Sequence, residues 1–309
     1  RALLADAGIE VAGLAGYRNL VAPDERARET NLAYLARCLE LAPELGTSVV
    51  ATETGTRSPD GDWIDAPDNW DADAWRLLDE ALERLLPVAE RHGTILALEA
   101  HVKNVLKTQS QLLGILERFP TQNLQVVCDP YNTLSSHLLP AQERATSEFL
   151  DRFEHRFVVA HLKDVDPGGA EVGSPELGTG VFAQEPYLAF LRDRRPDLPL
   201  ILEHLPFENL PGALGTVRRL AGLVAAAGSG RAPAPSCTSG RPVIAPISSA
   251  VRCAAAAGPS RPVRTASSIA PSWAETRGYE GSQGRLTACS SIAAVRSRYG
   301  SSADASSTA

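Results

Sequence analysis

Apolar and polar positions along residues 1–227 follow two interleaved rhythms. Short, mostly apolar runs read as buried strands: IEVAGLAG (9–16), TSVVATE (47–53), TILALEA (94–100), LQVVCD (124–129), FVVAHLKD (157–164) and LPLILEH (198–204). Longer stretches between them carry apolar residues at helical spacing. Leu32, Leu35 and Leu39 predict a helix over 25–45 that Gly46 stops. Trp75, Leu78, Leu82 and Leu85 predict another, opened by Asp71 or Asp73 and closed at Gly93. Thr108 and Gln111 form a capping box ahead of LLGILERF. Further helices are predicted around 144–155, near 183–194 and at 209–226. Six β/α units in strict alternation mean a parallel sheet covered by helices, either doubly wound or closed as a barrel. No GxGxxG follows a strand, which counts against a dinucleotide-binding sheet.

The rhythm stops after residue 227. Residues 228–309 are rich in Ala, Ser, Pro, Gly and Arg and keep neither period. They read as a second segment, a disordered tail or sequence translated out of frame, and no function is placed there. Charge separates the two segments as well. Residues 229–309 carry +6, which leaves −13 on the first 228 residues for a total of −7. An acidic body does not favour binding a polyanion, so no nucleic-acid partner is expected. No run approaches the ~18–20 apolar residues of a membrane span. The five cysteines form no CxxC pair, and Cys38 and Cys128 lie in apolar segments. That pattern fits core thiols in a reducing, cytoplasmic setting.

Candidate chemistry lies where the strands end. Four consecutive runs finish on a metal-compatible residue: Glu99 in ILALEAH, Asp129 in LQVVCDPYN, His161 in FVVAHLKD and Glu203 in LILEHL. In a parallel barrel the C-terminal ends of the strands carry the active site. Any one such residue, taken alone, is more often a helix cap or half of a salt bridge. Four in succession at the same end is a joint signal. Three carboxylates brought together repel, and a divalent cation resolves the repulsion by taking their oxygens as ligands. Three oxygen donors and an imidazole suit Mn²⁺, Mg²⁺ or Co²⁺ better than a structural zinc. Glu99 and Glu203 can also serve as general acid and base.

At these residues the sequence resembles the sugar phosphate isomerase/epimerase family, the xylose-isomerase-like TIM barrels that include the endonuclease IV branch. The matching pieces are LALEAH, VVCDPYN, VVAHLKD followed by ELGTG, and LILEH, with GLAGYRNL (13–20) and ATETGTRSP (51–59) resembling earlier strand ends. The resemblance covers about 1–226. It implies a (β/α)8 TIM barrel over 1–227 with one divalent metal held by Glu99, Asp129, His161 and Glu203. It implies Glu99 and Glu203 as the pair that moves a proton beside a carbonyl of a small carbohydrate-like substrate. Arg18, Asn19, His101, Asn132 and Lys163 are then expected to line the substrate site. Lys163 has an alternative as a surface salt bridge with Asp164, and Asn19 as a turn residue. His204 is expected to face outward or to pack. Asn132 stands where epimerase members often have His, which leaves substrate choice open. A dehydratase of the same superfamily and an inactive barrel are the competing readings. The extra histidines of a three-zinc endonuclease are missing, which ranks phosphodiester cleavage low.

Counting back from the four ligand strands makes IEVAGLAG the third strand and TSVVATE the fourth. The expectation is therefore a barrel lacking strands one and two, in keeping with the absence of any Met. Such a chain is expected to be poorly stable on its own.

Overall fold

The computed structural model describes residues 2–205, 209–220 and 294–295. Six parallel strands follow one another in chain order: β1 (Leu14–Ala15), β2 (Val49–Glu53), β3 (Ile95–Glu99), β4 (Leu124–Cys128), β5 (Phe157–Leu162) and β6 (Leu200–Leu202). Unreversed order means that every crossover steps the same way round. That is barrel winding, whereas a doubly wound sheet reverses at a switch point. The strands curl into part of a TIM barrel, and β1 and β6 do not pair with each other. A two-residue strand, β7 (Ala294–Val295), lies antiparallel on β6. The rest of 228–309, expected to lack structure, lies outside the described residues, as does the predicted helix beyond 220.

The helices are α1 (Ala2–Asp6), α2 (Glu25–Leu45), α3 (Ala72–His92), α4 (Gln109–Arg118), α5 (Gln142–Phe153), α6 (Gln184–Asp193) and α7 (Leu210–Leu220). Their ends follow local chemistry. The Asp24 carboxylate accepts from Ala27 N–H at the start of α2, and left-handed Gly46 and Gly93 terminate α2 and α3. At α4, Thr108 and Gln111 make the expected reciprocal capping box. No described helix is long and apolar enough to cross a membrane.

Two apolar layers follow from strand alternation. Outward positions such as Leu96, Leu98, Val126, Cys128, Ala160 and Leu162 pack under the helices in the main core. Inward positions are smaller: Val49, Ala51, Ala97, Val127, Val159 and Ile201 fill the inside of the curl. The first and last strands are shorter than the sequence predicts. β1 keeps two residues of the 9–16 run because it pairs only with β2, and Ile9 is exposed. β6 keeps three of seven.

The β5–α6 loop is organised by Asp164. Its carboxylate accepts N–H groups from Val165, Gly178 and Phe182 at 2.9, 2.8 and 3.1 Å. The loop after β2 is tied to the loop after β1 by Asn19, whose amide donates to Thr56 O and accepts from Val21 and Thr56 N–H.

Candidate metal centre

Parity along each strand decides which side chains reach the inside of the curl. Glu99 shares a face with Ala97, Asp129 with Val127, His161 with Val159 and Glu203 with Ile201. Each ligand-type residue is therefore the inward step after a small apolar one, at the C-terminal end of its strand. The Glu203 N–H still donates to Leu162 O at 3.1 Å, so β6 carries this residue to the rim in sheet register.

The four side chains converge. Each offers one ligand atom, and those atoms lie within 4.8 Å of one another. His161 Nδ1 is 3.2 Å from Asp129 Oδ2, 3.2 Å from Glu203 Oε2 and 3.4 Å from Glu99 Oε2. Glu99, Asp129 and His161 are buried, and Glu203 keeps 21% of its side chain exposed, which makes it the open side of the cluster. His161 and Glu203 also line a cleft together with Leu14, Tyr17, Val49, Val159 and Ile201, residues from the β1 region, β2, β5 and β6. The donor set fits a divalent cation: three carboxylates and an imidazole, already gathered, facing inward.

The surroundings of the four residues differ. Glu99 is held at both oxygens: the Tyr17 hydroxyl donates to Oε2 at 2.6 Å, and the Asn132 amide donates to Oε1. Asn132 also donates its backbone N–H to Asp129 Oδ1 at 3.1 Å. Lys163 reaches the same place. Its Nζ lies 2.7 Å from Asp129 Oδ2, 3.0 Å from Glu203 Oε2 and 3.8 Å from Glu99 Oε1, with the side chain buried. The salt bridge with Asp164 is not formed, because the Asp164 carboxylate is turned into its own loop.

Electrostatics follow this geometry. Burial raises Glu99, the facing His161 only partly offsets it, and the carboxyl stays above its usual range. Burial also opposes ionisation of Asp129 and Glu203, but Lys163 and His161 hold both below the carboxylate range. Burial would lower His161 and Lys163, and the converging carboxylates raise both instead.

The other expected residues are placed differently. His101 is half-buried, and its Nδ1 accepts from Lys103 N–H at 3.0 Å. A neutral ring in that arrangement carries its proton on Nε2. Burial, then the Lys163 charge, lowers His101 to about 3. Asn19 is fully buried and its amide is occupied by the loop tie, so the turn-residue alternative describes it better than a substrate contact. Arg18 stacks its guanidinium 3.9 Å from the Tyr34 ring centroid on α2 and donates to Tyr17 O. His204, expected to face outward or to pack, follows β6 in a left-handed backbone conformation (φ 53°), so strand alternation does not carry it outward: it is 47% exposed, with Nε2 4.0 Å from Glu203 Oε2.

Two residues were not anticipated. Glu53 ends β2 in register with Glu99, is raised to about 8 by burial and then by Glu99, and receives the Asn104 amide. The strand-end rule that picked out Glu99 applies equally to VVATE, so its signal was present. Tyr17 has no such signal, because its position comes from the path of the loop after β1.

Among curated proteins no sequence matches. Solved structures of the same fold do. A xylose isomerase-like TIM barrel protein from Mycobacterium smegmatis, in complex with magnesium, is 21% identical with a TM-score of 0.52, covering 73% of this chain and 78% of that one. The 3-keto-D-glucoside 4-epimerase YcjR from E. coli is 19% identical with a TM-score of 0.55, covering 71% and 82%. A D-tagatose 3-epimerase-like protein is 18% identical with a TM-score of 0.56, covering 72% and 80%. At these identities the likeness is one of fold. Residues 1–220 match the family model for the xylose isomerase-like TIM barrel, and the chain belongs to that family.

Proposed function

We propose that this chain is a divalent-metal-dependent isomerase or epimerase of a small sugar, sugar phosphate or keto-polyol. The observation that carries this reading is the convergence of two glutamates, Glu99 and Glu203, with Asp129 and His161, their ligand atoms within 4.8 Å of one another. Buried carboxylates so close repel unless positive charge lies among them. The donor set suits Mn²⁺, Mg²⁺ or Co²⁺. When bound, such an ion neutralises the carboxylates and polarises a substrate carbonyl.

The chain's own residues do the rest. One glutamate removes the proton from the carbon beside the carbonyl, and the other returns a proton to the resulting enediolate. Return to the opposite face of the same carbon epimerises; return to the former carbonyl carbon, with the hydroxyl proton passing to the former carbonyl oxygen, isomerises. Tyr17 and Asn132 hold Glu99 by both oxygens, so its position is set before a substrate arrives. Lys163 and the Nε2–H of His101 are donors suited to substrate oxygens. Asn132, smaller than the histidine common at this position in epimerases, leaves more room beside Glu99.

Solvent exchange tests this. The metal-loaded protein is incubated in D2O with a panel of ketoses, inososes and hydroxy-keto acids, and deuterium beside the carbonyl is followed by NMR. Exchange is expected for at least one class, and Glu99→Gln and Glu203→Gln should each lower its rate about 10²- to 10⁴-fold. Appearance of an absorbing enone would reassign the chain to the dehydratase chemistry of the superfamily. A folded, metal-loaded protein that exchanges no proton across the panel would overturn the reading.

A further inference from the structure

We propose that the Lys163 ammonium is a built-in substitute for the metal ion: it fills the ligand cluster when no ion is bound and must withdraw for an ion to enter. The inference rests on the metal-site reading above and adds a competitor to it.

The geometry is that of a cation among ligands rather than of an ordinary pair. Lys163 Nζ lies 2.7, 3.0 and 3.8 Å from oxygens of Asp129, Glu203 and Glu99, three of the four ligand residues. Among the described residues, the other basic groups within 4.0 Å of these carboxylates are His161, itself a ligand, and His204, at 4.0 Å from Glu203. Without Lys163, three carboxylates would face one another with only an imidazole between them. Removing one partner from such a buried group leaves uncompensated charge, which is strongly destabilising.

The backbone that carries Lys163 is fixed on both sides. The Gln184 amide donates to Lys163 O at 2.7 Å, and the next residue, Asp164, is held by three loop N–H groups. Mobility is left to the four-carbon stem, the property that distinguishes lysine from arginine. The ammonium holds Asp129 Oδ2 and Glu203 Oε2, the same two oxygens that face His161 Nδ1 at 3.2 Å, so an ion bound by His161 and these carboxylates competes with it for both. Ion and ammonium are therefore alternatives. The Lys-filled state lowers apparent ion affinity by the fraction of chains that it holds. In return the ligands stay gathered in the ion-free protein.

The test uses the full chain, stripped of metal, as wild type, Lys163→Met and Lys163→Gln. Each is titrated with Mn²⁺ alone at pH 8, with free Mn²⁺ followed by EPR, and the thermal midpoint is recorded without and with saturating Mn²⁺. The variants should bind Mn²⁺ tighter by about tenfold or more if the Lys-filled state holds about nine-tenths of the ion-free chains. Their ion-free midpoints should fall below that of wild type, and saturating Mn²⁺ should close the gap. Wild-type binding with equal or weaker affinity in both variants would overturn the substitute role and leave the metal site standing. Absence of Mn²⁺ binding in all three proteins would remove the metal-site reading and this inference together. Failure of both variants to fold even in saturating Mn²⁺ would also count against it, because the ion is expected to replace the missing charge.

Discussion

Glu99 and Glu203 both end an inward-facing strand run, yet they stand in different company. Glu99 is buried and held by a phenol and an amide, whereas Glu203 is partly open and held by Lys163 and His161. The ligand-type residues were legible in the sequence because a carboxylate or imidazole straight after an aliphatic run has few ways to be satisfied. Their partners were harder to read. Tyr17 meets Glu99 across 82 positions of chain, and no local pattern encodes that contact. Asn19 and Arg18 were expected to line the site; the structure shows Asn19 tying two loops and Arg18 over the Tyr34 ring, contacts that no local pattern encodes. Tyr17→Phe removes one donor to a buried carboxylate and should cost about 1.5–3 kcal/mol of stability, read from urea unfolding. An unchanged unfolding midpoint would show that this hydrogen bond carries no weight.

The elements were the most legible part. Continuous apolar runs marked β3 to β6, and Gly46, Gly93 and the Thr108–Gln111 box marked the ends of α2, α3 and α4. Thr108→Ala breaks the reciprocal box at α4 and should destabilise by about 1 kcal/mol. Calorimetry would check this, and no change would mean that water replaces the cap fully. The edges were overestimated: β1 has a neighbour on one side only, so an apolar run of eight residues yields two in the ladder. Periodicity reports burial, and it does not report how much of a run finds a partner. The β5–α6 loop shows the same limit from the other side. HLKDVDPGG gave no hint that Asp164 would organise it, because its partners lie at Val165, Gly178 and Phe182. Asp164→Ala leaves those N–H groups without their acceptor and should cost about 2–4 kcal/mol. A loss as small as that of an exposed surface substitution would contradict this account of the loop.

In the molecule as a whole, the curled sheet brings residues from four successive strand ends, Glu99 to Glu203, to one rim. Winding direction was the step that periodicity left open. Both barrel and doubly wound sheets alternate β and α, and only the strand order separates them. The acidic body agrees with a cation-binding centre, although net charge alone names no ligand. A ligand that binds only the folded chain stabilises it by mass action, by about 2.7 kcal/mol at a hundred times its Kd. Mn²⁺ should therefore raise the thermal midpoint of the metal-stripped protein and leave that of Asp129→Asn unmoved. The decisive measurement is the metal content of the purified, folded chain after loading and gel filtration, beside that of Glu203→Gln. About one divalent ion per chain is expected in the wild type, with most of it lost in the variant. A folded wild type that retains no ion, or a variant that retains as much as the wild type, would contradict the assignment of Glu99, Asp129, His161 and Glu203 as a metal centre.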